Sequence, residues 1–197
     1  MEKRRCTWCC DGGLNQHYHD NEWGIPLYDD QKQFEFLMME VMQCGLSWTL
    51  MLKKREIFHQ CFSGFDYRVI ADFTDADTTR IMNTEGMIRS ERKIRAVIHN
   101  ANRFLEIQTE WGSFARYIWH FTDGKTYLYP KHHKGFWEAK NELSDRISAD
   151  LKIRGFKYLG SVTVFSHLQA CGIINDHEPD CWMYQSLLAQ SDIVVMD

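Results

Sequence analysis

Hydrophobic side chains recur with a helical period in the first quarter of the chain. From residue 30 to about residue 43 they return at intervals of three and four positions. These positions are Phe34, Leu37, Met38, Val41 and Met42. This spacing places them on one stripe of an α-helix, and Gly45 is expected to end that helix. The pattern therefore predicts an amphipathic helix over these residues.

Similar patterns predict helices along most of the remaining chain. The predicted ranges are 48–62, 66–73, 75–82, 90 to about 108, 111–121, 144–154 and 161 to about 172. Strand-like alternation is scarce and there are three prolines, so the predicted fold class is all-α. The segment 85–89 is long enough only for a hairpin turn. Residues 122–136 are predicted to form a loop or linker, and the weakly patterned tail after Cys181 to be partly mobile.

Composition limits the classes of protein to consider. A chain of 197 residues with 44% hydrophobic and 25% charged residues can form one sizeable core or two small lobes, and is not disordered. No apolar run approaches the roughly 20 residues of a membrane helix, and the first residues lack the apolar stretch of a signal peptide. Seven cysteines then indicate thiols or metal ligands in a cytoplasmic protein. The net charge of -4 offers no general attraction to nucleic acid.

Cysteines and histidines near the two ends could share a metal ion. Cys6 and His19 lie near the start, and His177 and Cys181 near the end. Two thiolates and two imidazoles can fill a closed tetrahedral zinc shell, which would be structural because no position remains for water. Cys9 or Cys10 could replace His19. Alternatively, these residues are buried thiols and hydrogen-bonded histidines without a metal.

Glu40 lies at the edge of the apolar stripe of the first predicted helix. Phe36 and Met39 make the neighbouring face apolar too, so the carboxylate is expected to be partly buried. A buried ion needs a partner, either a cation of the protein or a cationic ligand. A surface position or a structural Arg partner would also explain it. The aromatic residues Trp8, Tyr18, Trp23 and Trp48 are either core side chains or a stacking cage.

The predicted hairpin has basic surroundings. Gly86 permits a tight turn, and backbone N–H groups at the start of the next helix can point at a phosphate. Arg89 and Lys93 can add positive charge, as can other basic runs at 53–55 and 152–157. Solvated helix faces explain such runs equally well.

Many ordered motifs make the chain similar to the 3-methyladenine DNA glycosylase I family, within the helix-hairpin-helix DNA glycosylases. The motifs are Cys6-x-Trp8, 18–24 (Tyr-His-Asp-Asn-Glu-Trp-Gly), Glu40, 45–48 (Gly-Leu-Ser-Trp), 52–55 (Leu-Lys-Lys-Arg), 86–89 (Gly-Met-Ile-Arg), 154–160 (Arg-Gly-Phe-Lys-Tyr-Leu-Gly), 169–172 (Gln-Ala-Cys-Gly), and 175–177 (Asn-Asp-His) with Cys181. The resemblance implies two helical lobes with a cleft between them. Residues 29–119 would form a helical domain with the hairpin at about 84–93. Residues 1–28 and 120–197 would form a lobe stapled by zinc on Cys6, His19, His177 and Cys181.

The resemblance also implies an activity. The enzyme would flip 3-methyladenine out of double-stranded DNA, hydrolyse its N-glycosidic bond and leave an abasic site, acting as a monomer without a membrane. Glu40 would be catalytic, and Tyr18, Trp48, Trp8 and Trp23 would contact the base. Leu46 would wedge into the duplex, and Gly86, Arg89 and Lys93 would bind its backbone. A non-catalytic DNA-binding module and a glycosylase acting mainly on 3-methylguanine are the alternatives. Residues 122–143, including His132, match no motif of the family.

Overall fold

The computed structural model describes residues 3–10, 12–134, 138–190 and 192–196, and it is mostly helical. The α-helices are α1 (Leu14–Asn21), α2 (Asp30–Gln43), α3 (Trp48–Cys61), α4 (Tyr67–Ala71), α5 (Asp75–Asn83), α6 (Glu91–Trp111), α7 (Phe114–His120), α8 (Glu142–Ile153), α9 (Ser161–Ala170) and α10 (Trp182–Gln190). Three short 3-10 turns cover Thr7–Cys9, Ser63–Phe65 and Pro130–Lys134. The strands are β1 (Thr126–Leu128), β2 (Ile174–Asn175) and β3 (Ile193–Val195). The all-α prediction is confirmed in outline, with one small sheet added.

Helix α2 lies at the centre of the core and is the reason why a carboxylate is buried there. All ten residues from 33 to 42 are buried, because α3, α6, α7 and α9 pack around the helix. Asp29 caps its start by accepting a hydrogen bond from the backbone N–H of Lys32 (2.8 Å). The predicted helix over 30–43 is confirmed, but its burial extends far beyond one stripe. The side chain of Glu40 is therefore withdrawn from water.

The hairpin joins α5 to α6 as predicted. Gly86 adopts a φ of +77°, and a Cβ atom there would lie 2.8 Å from Ile57 Cδ1 of α3. The backbone conformation requires glycine at this position, and Ile57 of α3 packs closely against it.

One prediction about the second half was wrong. Residues 122–136 were expected to be a loop, yet β1 and one 3-10 turn lie within them. The described residues of the tail after Cys181 form α10 and β3, which the sequence pattern did not predict. The strands form a parallel sheet in the order β2-β1-β3, with Tyr127 opposite both Ile174 and Val194. Such short strands have too few positions for alternation to be visible in the sequence.

Helix α1 was not predicted because its sequence has no apolar stripe. Only Asn15, Tyr18 and His19 are buried along it, and two of these are polar. Among the described residues, no helix is both long and apolar enough to cross a membrane.

Candidate functional site

A cavity of about 330 Å³ lies where the N-terminal segment meets α2, α3 and α9. Four aromatic side chains line it, together with three carboxylates and a few small or amide side chains. The lining residues are Cys6, Trp8, Tyr18, Trp23, Glu40, Gln43, Trp48, Ser166, Gln169, Asp176 and Glu178. Within the described part of the chain, no Lys or Arg lines this cavity. Its size and aromatic walls are typical of a small-molecule site, and its acidic lining favours a cation.

The aromatic residues come from four different segments. Trp8 lies in the first 3-10 turn, Tyr18 on α1, Trp23 just after α1, and Trp48 at the first position of α3. The ring centroids of Tyr18 and Trp48 are 5.2 Å apart, and those of Trp8 and Trp23 are 5.1 Å apart at 77°. The four aromatic side chains therefore line one cavity, and Tyr18 also belongs to the hydrophobic core.

Glu40 is buried in this cavity, and no described residue pairs with its carboxylate. Its exposed fraction is 5%. No hydrogen bond or ion pair to its carboxylate occurs among the described residues, and burial raises the pKa of Glu40 to about 8. The structural Arg partner considered from the sequence is therefore wrong. What remains is a carboxylate for which the protein supplies no cation.

Two hydrogen-bond donors beside Glu40 are also unsatisfied. The hydroxyl of Tyr18 and Nε1 of Trp48 are buried, and neither has a partner among the described residues. Burial raises the pKa of Tyr18, and the nearby charge of Glu40 raises it further. Buried polar groups are rarely left unpaired in proteins, so this cavity is prepared for a ligand with polar atoms.

The two ends of the chain meet beside the cavity at four buried residues, Cys6, His19, His177 and Cys181. Nδ1 of His177 lies 3.2 Å from Nε2 of His19, 3.5 Å from Sγ of Cys6 and 3.7 Å from Sγ of Cys181. Sγ of Cys181 is 3.4 Å from Nε2 of His19. The cluster could hold a metal ion. The sequence prediction that these four residues converge is confirmed, and Cys9 and Cys10 lie outside the cluster.

Four of the six separations between the ligand atoms fit a tetrahedral zinc shell, and all six lie within 4.8 Å. Zinc bonds of about 2.05 Å to nitrogen and about 2.3 Å to sulfur give edges of about 3.3 Å between two nitrogens and about 3.6 Å between nitrogen and sulfur. The observed separations of 3.2 Å and of 3.4 to 3.7 Å agree with these values. The neighbouring thiol of Cys181 and burial raise the pKa of Cys6. Both thiols could therefore ionise together only with a cation between them.

The remaining nitrogen of each histidine is held by the protein. Nδ1 of His19 donates to Asp20 (2.8 Å), which also accepts hydrogen bonds from Arg5. Nε2 of His177 donates to the carbonyl oxygen of Trp23 (3.1 Å). Such contacts fix the tautomer and orientation of metal-ligating imidazoles. They leave Nε2 of His19 and Nδ1 of His177 facing the two thiols.

Gly24 permits the close approach of the two chain ends. A Cβ atom there would lie 2.6 Å from Nε2 of His177, and the φ of Gly24 is +78°. Both the metal cluster and the position of Trp23 at the cavity therefore depend on glycine at the end of the 18–24 motif.

The residues predicted to touch DNA lie around the mouth of the cavity or on the hairpin. Leu46 is 38% exposed in the turn between α2 and α3, and Arg89 is exposed on the hairpin. Lys93 has a structural role that its sequence context did not predict. Its ammonium donates to the carbonyl oxygens of Met42 (2.8 Å) and Cys44 (2.7 Å), which caps α2 and ties the turn of Leu46 to α6.

Sequence reasoning also missed five polar residues of the cavity wall. These are Gln43, Ser166, Gln169, Asp176 and Glu178. Their only signal was their place within or beside the motifs, since periodicity carries no information on which loop faces a cavity.

Comparison with known proteins agrees with this geometry. The sequence profile described as methyladenine glycosylase matches residues 8–184. The chain belongs to the methyladenine glycosylase family. This confirms the resemblance deduced from the motifs.

Among members of the methyladenine glycosylase family, DNA-3-methyladenine glycosylase 1 of Escherichia coli is 37% identical over 180 residues, which cover 91% of this chain and 96% of that protein. A crystal structure of 3-methyladenine DNA glycosylase I superposes with a TM-score of 0.84 at 38% identity, covering 91% of this chain and 98% of that one. The Staphylococcus aureus enzyme, solved to explain its recognition of 3-methyladenine, superposes with a TM-score of 0.85 at 34% identity, covering 90% and 95% of the two chains.

Proposed function

We propose that this protein is a DNA glycosylase that hydrolyses the N-glycosidic bond of 3-methyladenine in alkylated double-stranded DNA. The observation that carries the proposal is the buried, unpaired carboxylate of Glu40 in an aromatic cavity lined by no Lys or Arg among the described residues. The activity named for relatives of 36–37% identity supports it. Release of the base by flipping it out of the duplex into the cavity would leave an abasic site.

The chemistry of the substrate matches the cavity. A methyl group on N3 gives the adenine base a positive charge that unmodified adenine lacks. Aromatic faces attract a desolvated cation with about 2 kcal/mol each, and the Glu40 carboxylate adds charge complementarity. The lesion is therefore selected by its charge, while ordinary adenine would bury the carboxylate without compensation.

The bond itself needs little help at the base. As it breaks, the base leaves with the bonding electron pair and becomes neutral, while water adds to C1′ of the sugar and loses a proton. Positive charge thus moves from the base to the sugar in the transition state. Glu40 would hold the cationic base first and then stabilise the developing charge on the sugar, which is the part of its role that accelerates the reaction.

The remaining residues would bind the base and the duplex. Trp48 would stack on the base, and Tyr18, Trp8 and Trp23 would complete its cage. Leu46 would fill the gap left in the duplex, with Gly86 and Arg89 of the hairpin at the phosphate backbone. Lys93 would act there mainly by fixing the turn of Leu46, with its third N–H left for a phosphate.

We also propose that the metal is zinc and that it is structural. The set of two thiolates and two imidazoles and the four-ligand shell support this assignment. The ion would hold residues 1–28 and 120–197 together as one lobe against the helical domain of 29–119. We propose that the protein acts as a monomer. We further propose that it acts in the cytoplasm, where its seven free cysteines would stay reduced.

Removal of the metal tests the zinc assignment. Protein purified without chelator is expected to carry about one zinc per chain. Stripping the metal should lower the melting temperature, and Cys181→Ser should lower both metal content and melting temperature. Cys61→Ser, a buried cysteine outside the cluster, is the control for loss of a thiol and should keep its zinc. Protein without metal that melts at the same temperature would contradict a structural ion.

Base release from methylated duplex DNA tests the activity. The wild-type protein should release 3-methyladenine, and chromatography of the released bases would also measure 3-methylguanine and 7-methylguanine. Glu40→Gln should release 3-methyladenine at least about 100-fold more slowly, while its affinity for DNA is retained. Wild-type protein that binds methylated DNA and releases no base would instead be a non-catalytic binding module.

A further inference from the structure

The cavity has a polar wall that the proposed mechanism leaves unused. Gln169 of α9 and Asp176, just after β2, form part of this wall. The carboxylate of Asp176 is buried and points one oxygen at each of two partners. Oδ2 accepts a hydrogen bond from Nε2 of Gln169 (2.5 Å), and Oδ1 accepts one from Nδ1 of His132 (2.9 Å).

His132 belongs to the segment 122–143, which matched no motif of the family. It is buried, with an exposed fraction of 4%. Its ring stacks on Tyr129, with centroids 5.0 Å apart and planes 13° apart, and it meets the edge of Phe165 at 5.8 Å. These contacts hold the imidazole in one orientation. The segment therefore contributes a hydrogen-bond donor, held in place by aromatic contacts, to Asp176 at the cavity wall.

The chain of hydrogen bonds fixes which end of the Gln169 amide faces the cavity. A carboxylate only accepts hydrogen bonds, so the NH₂ group of Gln169 must turn toward Asp176. The carbonyl oxygen Oε1 then points away from Asp176, and no hydrogen bond to it occurs among the described residues. Because the hydrogen bond to Asp176 prevents the amide from flipping, the free group of Gln169 is its carbonyl oxygen, which accepts hydrogen bonds.

We propose that Gln169 is a specificity-determining residue, which accepts a hydrogen bond from the exocyclic amine of the flipped adenine. Asp176 and His132 are positioning residues that hold the amide in this orientation. The inference rests on the proposed glycosylase function. The hydrogen bond to Gln169 would explain why one cationic purine is preferred over another. The charge of Glu40 alone does not explain this, because both purines are cationic.

The two cationic purines differ at this atom. Adenine carries an amine at C6, whereas guanine carries a carbonyl oxygen there. An amine satisfies the Gln169 carbonyl oxygen, but a second carbonyl oxygen would face it without a hydrogen. A buried acceptor left unpaired in this way corresponds to about 10- to 100-fold discrimination against 3-methylguanine.

The test compares release of the two bases from the same methylated duplex DNA under single-turnover conditions. The wild-type protein should release 3-methyladenine at least about 10-fold faster than 3-methylguanine. Gln169→Leu should slow the release of 3-methyladenine by about 10-fold while leaving 3-methylguanine nearly unchanged, so that the ratio collapses. Gln60→Leu, an exposed glutamine on α3, is the matched control and should keep the wild-type ratio.

A second variant protects the test against misfolding. His132→Phe keeps a ring against Tyr129 and removes the N–H that holds Asp176, so it should shift the ratio in the same direction with zinc content unchanged. Equal slowing of both bases in these variants would reduce the three residues to a structural role and overturn the inference. Equal release of both bases by the wild-type protein would overturn the inference and leave the glycosylase function intact. Release of neither base would overturn both.

Discussion

Two buried carboxylates on α2, one helical turn and a half apart, have opposite surroundings. The exposed fractions of Glu35 and Glu40 are 4% and 5%. Glu35 contacts Arg55 at 2.6 Å, Lys32 at 2.9 Å and His59 at 3.0 Å. Glu40 has no such contact among the described residues. The same helix therefore carries one carboxylate that the protein has paired and one that it has left open.

The pKa values follow from these surroundings. Burial alone would raise the pKa of Glu35, but the hydrogen bonds and charges of Arg55 and Lys32 outweigh it and lower the pKa. Burial acts without opposition on Glu40 and raises its pKa to about 8. The cost of desolvation is thus met inside the protein at one position. At the other position it is left for a ligand to offset.

The paired carboxylate also helps to place the open one. Arg55 of α3 binds Glu35 on α2 and both carboxylate oxygens of Glu22 (2.7 and 2.6 Å), which directly follows α1. The three segments joined by Arg55 are those that carry Tyr18, Glu40 and Trp48. The ion-pair network therefore fixes the spacing of the cavity walls.

The largest expected effect comes from breaking the paired side of this comparison. Arg55→Met removes the cation shared by two mostly buried carboxylates and should lower the free energy of unfolding by about 3 kcal/mol or more at pH 7. The pKa values of Glu22 and Glu35 are lowered in the folded protein, so their contribution is present above pH 4.5 and lost as pH falls. The difference between variant and wild type should therefore shrink in acid.

Arg95 offers a matched control for this variant. It also pairs with two carboxylates, Asp75 and Glu91, but its side chain is 50% exposed. Urea unfolding of Arg95→Met should show a much smaller loss than Arg55→Met, because solvent screens exposed ion pairs. Equal losses in the two variants would mean that burial does not distinguish the two networks.

A change of opposite sign in the free energy of unfolding is expected when the unpaired carboxylate of Glu40 is replaced. Because the pKa of Glu40 is about 8 in the folded protein and 4.5 in the unfolded chain, its contribution is fully present below pH 4.5 and is lost as pH rises through 8. Glu40→Gln should therefore be as stable as the wild type at pH 4 and more stable at pH 7, by about 3 kcal/mol. Urea titrations at several pH values measure this difference. A destabilised variant at pH 7 would indicate a cationic partner for Glu40.

The sequence predicted this comparison only in part. The period of hydrophobic positions was sufficient for α2, and the apolar neighbours of Glu40 were sufficient for its burial. They could not say whether a cation stands nearby, because Arg55, which pairs Glu35, lies on another helix. Periodicity reports the face on which a side chain lies and not what packs against it.

The Cys/His cluster and the polar wall of the cavity also differ in how far the sequence predicts them. The residue types of Cys6, His19, His177 and Cys181 suggested a metal, since two thiolates and two imidazoles can fill a tetrahedral zinc shell. No comparable signal marked His132, Asp176 and Gln169. Their contact depends on β1 and β2 lying side by side, and strands of two or three residues are too short to be recognised from sequence.

The binding of 3,9-dimethyladeninium tests the central claim most directly, because this ligand carries the positive charge of the alkylated nucleoside and no sugar. Calorimetry in buffers of different ionisation enthalpy counts the protons released on binding. At pH 6 the wild-type protein should release about one proton per ligand, and its affinity should rise about tenfold per pH unit until it levels off near pH 8, as Glu40 ionises to meet the cation. Glu40→Gln should release none and bind with a weak affinity independent of pH. Wild-type binding without proton release, at an affinity that does not change between pH 6 and 8, would contradict the account.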